Sequence, residues 1–126
     1  MVVGLGIDIV EVERLEAVFG RHPERAPNRL FTTAELADCD GRSNPSECLA
    51  GRFAAKEAFL KALGTGLREG ISWTDISLRS GEHGRPELDT TGAAARQLAT
   101  LGASTVSVSI THDGGMAAAV VLIQTD

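Results

Sequence analysis

One stretch of this sequence constrains the fold more than any other. Asn44 can cap a helix, Pro45 suits its first position and Glu47 its first turn, so a helix opens there, runs to Leu63 and stops at Gly64. Leu49, Phe53, Phe59, Leu60 and Leu63 do not share one face of it. A helix that is apolar around most of its circumference has to be enclosed, and the rest of the chain must wrap around it. The 126 residues fit one domain with one core, spanning 1–126. With 43% hydrophobic and 23% charged residues the chain lies near the globular average and far from the disordered class.

Around that helix the periodicities alternate between two kinds. Val3, Leu5, Ile7 and Ile9 alternate with Gly4, Gly6 and Asp8, which predicts a strand with one apolar face and one face nearly devoid of side chains. Asp8 is the only functional group on the second face. Val12, Leu15 and Phe19 then mark an amphipathic helix up to Gly20 and Pro23, and Thr32-x-x-Glu35 is a capping box for a short helix closed by Asp40-Gly41-Arg42-Ser43. Ile76 and Leu78 alternate with Ser77 and Arg79 before a turn-rich segment, which predicts a small meander. Ala94, Leu98 and Leu101 mark a helix ended by Gly102, and two strands joined at Asp113-Gly114-Gly115 close the chain as a hairpin. The expected fold class is α+β, an antiparallel sheet packed with a long central helix. Ala117, Ala118 and Ala119 leave little bulk on the last strand, which would permit close approach of another subunit.

Charge and cysteines exclude several functions. Twelve basic against seventeen acidic residues give a net charge of −5, which argues against binding nucleic acid over the whole surface. Basic residues are concentrated locally: residues 20–31 hold Arg21, Arg25 and Arg29 against Glu24 alone, and Arg14 lies on the preceding helix. Such a patch can steer an acidic protein, or it can simply complement a helix dipole. Cys39 and Cys48 have neither CxxC spacing nor histidines at zinc distances, and no signal peptide precedes them, so reduced thiols in a cytoplasmic protein are expected. The apolar run from Met116 to Ile123 is too short to cross a bilayer.

The chemistry-bearing residues begin with Glu57, which shares a helix face with Phe53 and Leu60. A carboxylate placed against the core needs a cation, a metal or donors, and Lys61 one turn on is the ordinary partner. Asp8 at a strand end has an ordinary reading too, as a helix N-cap. Together, however, the two can supply the few hard oxygens that Mg²⁺ takes from a protein when phosphates and waters complete its shell. Arg52, Lys56 and Lys61 with Gly64-Thr65-Gly66 beyond them form a cation-rich, glycine-bounded turn able to approach phosphate, although solvated cations are the commoner case. Ser109-Ile110-Thr111-His112-Asp113 ends a strand as either a capped turn or a phosphate-binding edge. Gly4-x-Gly6 lacks the third glycine of a dinucleotide fingerprint, and no Walker loop is present.

Gly4-Leu5-Gly6-Ile7-Asp8-Ile9-Val10-Glu11, Phe31-Thr32-x-x-Glu35, the block from Arg52 through Lys56-Glu57-Ala58 and Lys61 to Gly66, Gly84-Arg85-Pro86, and Ser109-Ile110-Thr111-His112 resemble the holo-[acyl-carrier-protein] synthase family. These blocks fall in family order over nearly the whole chain. One departure is Asp38, where the family often carries an aromatic residue before Cys39. The resemblance implies a Mg²⁺-dependent 4′-phosphopantetheinyl transferase fold and a homotrimer with active sites between subunits. The implied reaction moves the phosphopantetheine arm of coenzyme A to a serine of an acyl carrier protein, releases adenosine 3′,5′-bisphosphate and supports fatty acid biosynthesis. It implies Asp8 and Glu57 as metal ligands, and Arg52, Lys61, Gly64, Thr111 and His112 around coenzyme A, with Arg85 and Pro86 near its adenosine end. Glu57, Lys61 and His112 are the catalytic candidates, while Arg14, Arg21 and Arg25 are the candidates for holding the carrier protein. Two other functions use part of the same set. A coenzyme A-binding regulatory module would not need Asp8 beside Glu57, and a Mg²⁺-dependent pyrophosphohydrolase would not need the arginine patch.

Overall fold

The computed structural model describes residues 1–126. Strand β1 (Val2–Glu11) leads into helices α1 (Val12–Arg21), α2 (Arg25–Leu30), α3 (Thr33–Asp40) and the long α4 (Pro45–Leu63). Strands β2 (Ile76–Ser80) and β3 (Pro86–Thr90), helix α5 (Gly92–Leu101) and strands β4 (Ala103–Asp113) and β5 (Met116–Thr125) follow. Two antiparallel sheets result, a three-stranded one in the order β1-β5-β4 and the two-stranded β2-β3. Helix α4 begins as its sequence dictates, with the Asn44 side chain accepting from the Glu47 N–H at 3.1 Å and Pro45 at the first position. It ends at Gly64, whose φ of 81° is left-handed.

The expected enclosure is present. Helix α4 lies across the inner face of the three-stranded sheet and also packs against α1, α3 and β2, so its apolar residues feed two clusters. Phe59, Leu60 and Leu63 join Ile76, Leu78, Val121 and Ile123 in one, and Leu49 and Ala50 join Val12, Leu15, Phe31 and Ala117 in the other. The nearly bare face of β1 is the one that meets α4. A Cβ on Gly4 or Gly6 would collide with the carbonyl oxygens of Ala62 or Ala58, so the absent side chains set how closely strand and helix approach. Its apolar face points away: Leu5, Ile7 and Ile9 are 62–67% exposed. On that same outer face the register aligns Ile7 with Val120 and Ser109, and Ile9 with Ala118 and Thr111.

Several expectations need correction. Ala117 and Ala119 are buried beneath α4, so only Ala118 of the three belongs to the outer face. Helix α2, with Pro27 inside it, gave no periodic signal in the sequence because none of its residues is buried. Lys56, grouped above with the solvated cations, is fully buried. Its ammonium pairs with Glu35 Oε1 at 2.6 Å and donates to the carbonyls of Leu30 at 2.8 Å and Trp73 at 3.1 Å. Glu35 in turn accepts from the N–H groups of Thr32 and Leu78, both at 2.9 Å, which completes the capping box and ties α3 to β2. Burial pulls the Lys56 ammonium below the usual lysine range, and Glu35 opposes that shift. Finally, Cys39 and Cys48 are joined in a disulfide rather than held as free thiols. The turn between α3 and α4 brings their Cα atoms to 5.5 Å, within bonding reach, a juxtaposition that their spacing in sequence does not encode.

Candidate functional site

Two groups of candidate residues form in different places. The first is built where β1 crosses α4. Asp8, on the glycine face of β1, and Glu57, on α4, meet there because Gly4 and Gly6 bring the strand against the helix. Burial and the neighbouring Asp8 carboxylate push the Glu57 carboxyl up to about 7, while Lys61 and Arg14 pull the other way. Lys61 does not pair with Glu57 as the helical spacing suggested. Its Nζ donates to Asp8 Oδ1 at 2.9 Å and to the Ile7 carbonyl at 3.0 Å, and Asp8, first among the causes, raises the affinity of this ammonium for its proton. Asp8 Oδ2 is left buried without a hydrogen-bond donor. It therefore caps no helix, and α1 has no side-chain cap.

With Glu57 ionised, Asp8 Oδ2 has no donor, and up to about neutral pH the two carboxyls are relieved only by a proton on Glu57 hydrogen-bonded to Asp8, which is costly for two acids and a fitting arrangement for a cation. No third carboxylate, histidine or cysteine joins them, so the pair fits a hard divalent ion that draws its other ligands from phosphate and water. Two clefts of about 480 Å³ each open from Glu57. One runs between α1 and β1 past Arg14, Leu15, Val18 and Phe53, and the other passes Lys61, Gly64, Gly66 and Trp73.

The second group lies around the start of α4. A cleft of about 430 Å³ is lined by Arg42, Arg52, Arg79, His112, Glu47 and Pro86, among others. Arg52 is nearly buried, and its guanidinium donates to the Leu78 carbonyl at 3.1 Å and to Asp38. His112 Nδ1 lies 3.2 Å from Glu47 Oε1. Arg85 and Pro86 line an adjoining cleft with Ser107 and Ser109. Thr111 does not join His112 in this cleft, because successive strand residues alternate sides and Thr111 belongs to the outer face. Arg21 and Arg25 stand apart near the α1–α2 junction, where Arg25 shares a small cavity with His22 and Arg29. Arg14 is the exception within the basic patch, since its charge reaches Glu57.

The family model for the 4′-phosphopantetheinyl transferase superfamily matches residues 4–121. The chain belongs to that superfamily. It is 44% identical over 124 residues to the holo-[acyl-carrier-protein] synthase of Trichlorobacter lovleyi, covering 98% of both chains, and 40% identical to that of Geotalea daltonii, covering 98% and 99%. The crystal structure of the Neisseria meningitidis holo-[acyl-carrier-protein] synthase superposes with a TM-score of 0.92 at 34% identity, covering 99% of this chain and 100% of that one. The Helicobacter pylori synthase, solved in complex with coenzyme A, gives 0.84 at 31% identity, covering 95% and 99%.

Reasoning from sequence missed Asp38, Arg42, Glu47 and Arg79 around the second cleft. Only the first pair carried a sequence signal: Asp38 and Arg42 are four residues apart on one helix turn, at ion-pair spacing. Lys56 also had a signal, since it stands seven residues from both Leu49 and Leu63 and so shares their buried side of α4.

Proposed function

We propose that this chain transfers the 4′-phosphopantetheine arm of coenzyme A to a serine of an apo acyl carrier protein. The observation that supports the reading is the Asp8–Glu57 pair beside Lys61, a donor set whose chemistry suits one divalent cation next to a pyrophosphate. Mg²⁺ held by Asp8 and Glu57 would neutralise charge on the pyrophosphate. Lys61 then faces the same phosphates with its own positive charge. The serine Oγ forms a bond to the pantetheine-bearing phosphorus, the P–O bond to the nucleotide breaks, and adenosine 3′,5′-bisphosphate leaves. Glu57 or a water beside it accepts the serine proton. No covalent protein intermediate is needed, so positioning and charge neutralisation dominate.

The second cleft, with Arg42, Arg52 and His112, is the site we assign to the nucleotide phosphates, with Arg85 and Pro86 toward the adenosine. Arg14, Arg21 and Arg25 face the acidic carrier protein. The exposed apolar face of β1 is covered by further copies of the chain in a homotrimer, whose active sites join the two groups of residues across the interface.

Intact-mass analysis of an apo carrier protein incubated with coenzyme A, Mg²⁺ and the enzyme tests the reaction. The carrier is expected to gain the mass of one phosphopantetheine arm. Cleavage of coenzyme A with no gain in carrier mass would instead show a pyrophosphohydrolase, and no change in either would show a binding module.

A further inference from the structure

Every cation of the second cleft already has a carboxylate of this chain beside it. His112 faces Glu47, and Arg79 reaches Glu87 at 2.6 Å and Asp89 at 2.7 Å on the neighbouring strand. Those pairs are largely exposed, and solvent screens them. Asp38 is different. Its Oδ2 accepts from both Arg42 Nη2, at 3.3 Å, and Arg52 Nη2, and Arg52 is only 8% exposed at its side chain. Arg42 is aimed further by a 2.9 Å hydrogen bond to Ser80 Oγ, and Arg52 by the Leu78 carbonyl. A guanidinium this deep needs a counter-charge in the free protein, and Asp38 provides it.

We propose that Asp38 sets the affinity of the cleft: one carboxylate aims Arg42 and Arg52 and at the same time offsets part of their charge, so that an incoming bisphosphate meets a positioned but partly neutralised pair. The inference rests on the reading of this cleft as the nucleotide-phosphate site. Its consequence is specific to electrostatics. A ligand phosphate must share the two guanidiniums with a carboxylate that stays, and product carrying two phosphates is held less tightly than the bare arginine count implies. Burial alone would push the Asp38 carboxyl up, but Arg52 and Arg42 outweigh it and keep the group ionised through the neutral range.

Isothermal titration of the full chain with adenosine 3′,5′-bisphosphate, without divalent metal, separates the two claims. Asp38→Asn keeps an acceptor oxygen for the arginines and removes the charge, so the Kd should fall about five- to tenfold at low salt, with the gain shrinking as ionic strength rises. Asp38→Ser, which also removes the charge but shortens the side chain, is the second variant should the first fail to fold. Arg52→Met should raise the Kd at least about tenfold. Unchanged or weaker binding by the charge-free variants, alongside a loss in Arg52→Met, overturns the role of Asp38 and leaves the cleft assignment standing. No loss in Arg52→Met overturns the cleft assignment and this inference with it. A purely structural Asp38 would not produce a gain that salt removes.

Discussion

Glu57 shows how far a single residue could be read. Its place on the same face as Phe53 and Leu60 marked it as a carboxylate against apolar surface, and that much follows from helical spacing alone. What spacing cannot report is who arrives from elsewhere. Asp8, 53 residues before Lys61 in the chain, takes that lysine for itself, so the ordinary Glu57–Lys61 pair never forms. The consequence is thermodynamic. Between about pH 4.5 and 7 the folded, metal-free protein keeps a proton on Glu57 that the unfolded chain has released, so it binds more protons than the unfolded state. Stability linked to this group is therefore full below about pH 4.5 and is lost as pH rises through 7. Because Glu57 is only half-buried, the full shift must be discounted for solvent screening, to about 1–2 kcal/mol. Chemical denaturation from pH 4.5 to 8 should show this decline in the metal-free wild type, and Glu57→Gln should flatten it. An equal decline in both would locate the titrating group elsewhere.

At the scale of elements, the caps were legible and the cross-links were not. Asn44-Pro45, Thr32-x-x-Glu35 and Gly64 each act within one turn of chain, and each helix boundary falls where they put it. The contacts that fasten α3 to α4 join side chains distant in sequence or across a turn. They are the Cys39–Cys48 disulfide, the Asp38–Arg52 pair and the buried Glu35–Lys56 pair. The last also gathers the carbonyls of Leu30 and Trp73, so one ammonium holds α2 and the segment before β2 against α4. These two residues also line the two clefts that open from Glu57. Lys56→Met should cost about 3–5 kcal/mol in urea unfolding, because Glu35 would remain as an uncompensated buried charge. Replacing both by methionine should recover part of that loss, since an apolar pair carries no desolvation penalty. A single variant as stable as wild type would show that Glu35 finds another partner or takes up a proton at little cost.

For the whole molecule, the alternation in β1 announced two faces but not which one the core would take. The glycine face wins because only a bare strand lets the α4 backbone come so close, and the displaced apolar face is left on the surface. The same arrangement separates the site. Asp8 lies on β1 and His112 on β4, the two edges of a sheet with β5 between them, and neither cleft at Glu57 includes Arg52 or His112. In the trimer proposed above, one pyrophosphate-bearing substrate that uses both groups lies between two copies, with the carboxylates of one and the arginines of the next. In a closed three-fold ring each interface then holds one such site. Glu57→Ala and Arg52→Ala should each abolish transfer when alone in the trimer. Mixed by joint refolding at equal amounts, they should recover about a quarter of wild-type activity, because about one interface in four pairs an intact Glu57 with an intact Arg52. Mixing folded proteins without subunit exchange should recover none. If joint refolding yields mixed trimers by mass but no activity, both halves of the site belong to a single protomer and the shared-site arrangement is wrong.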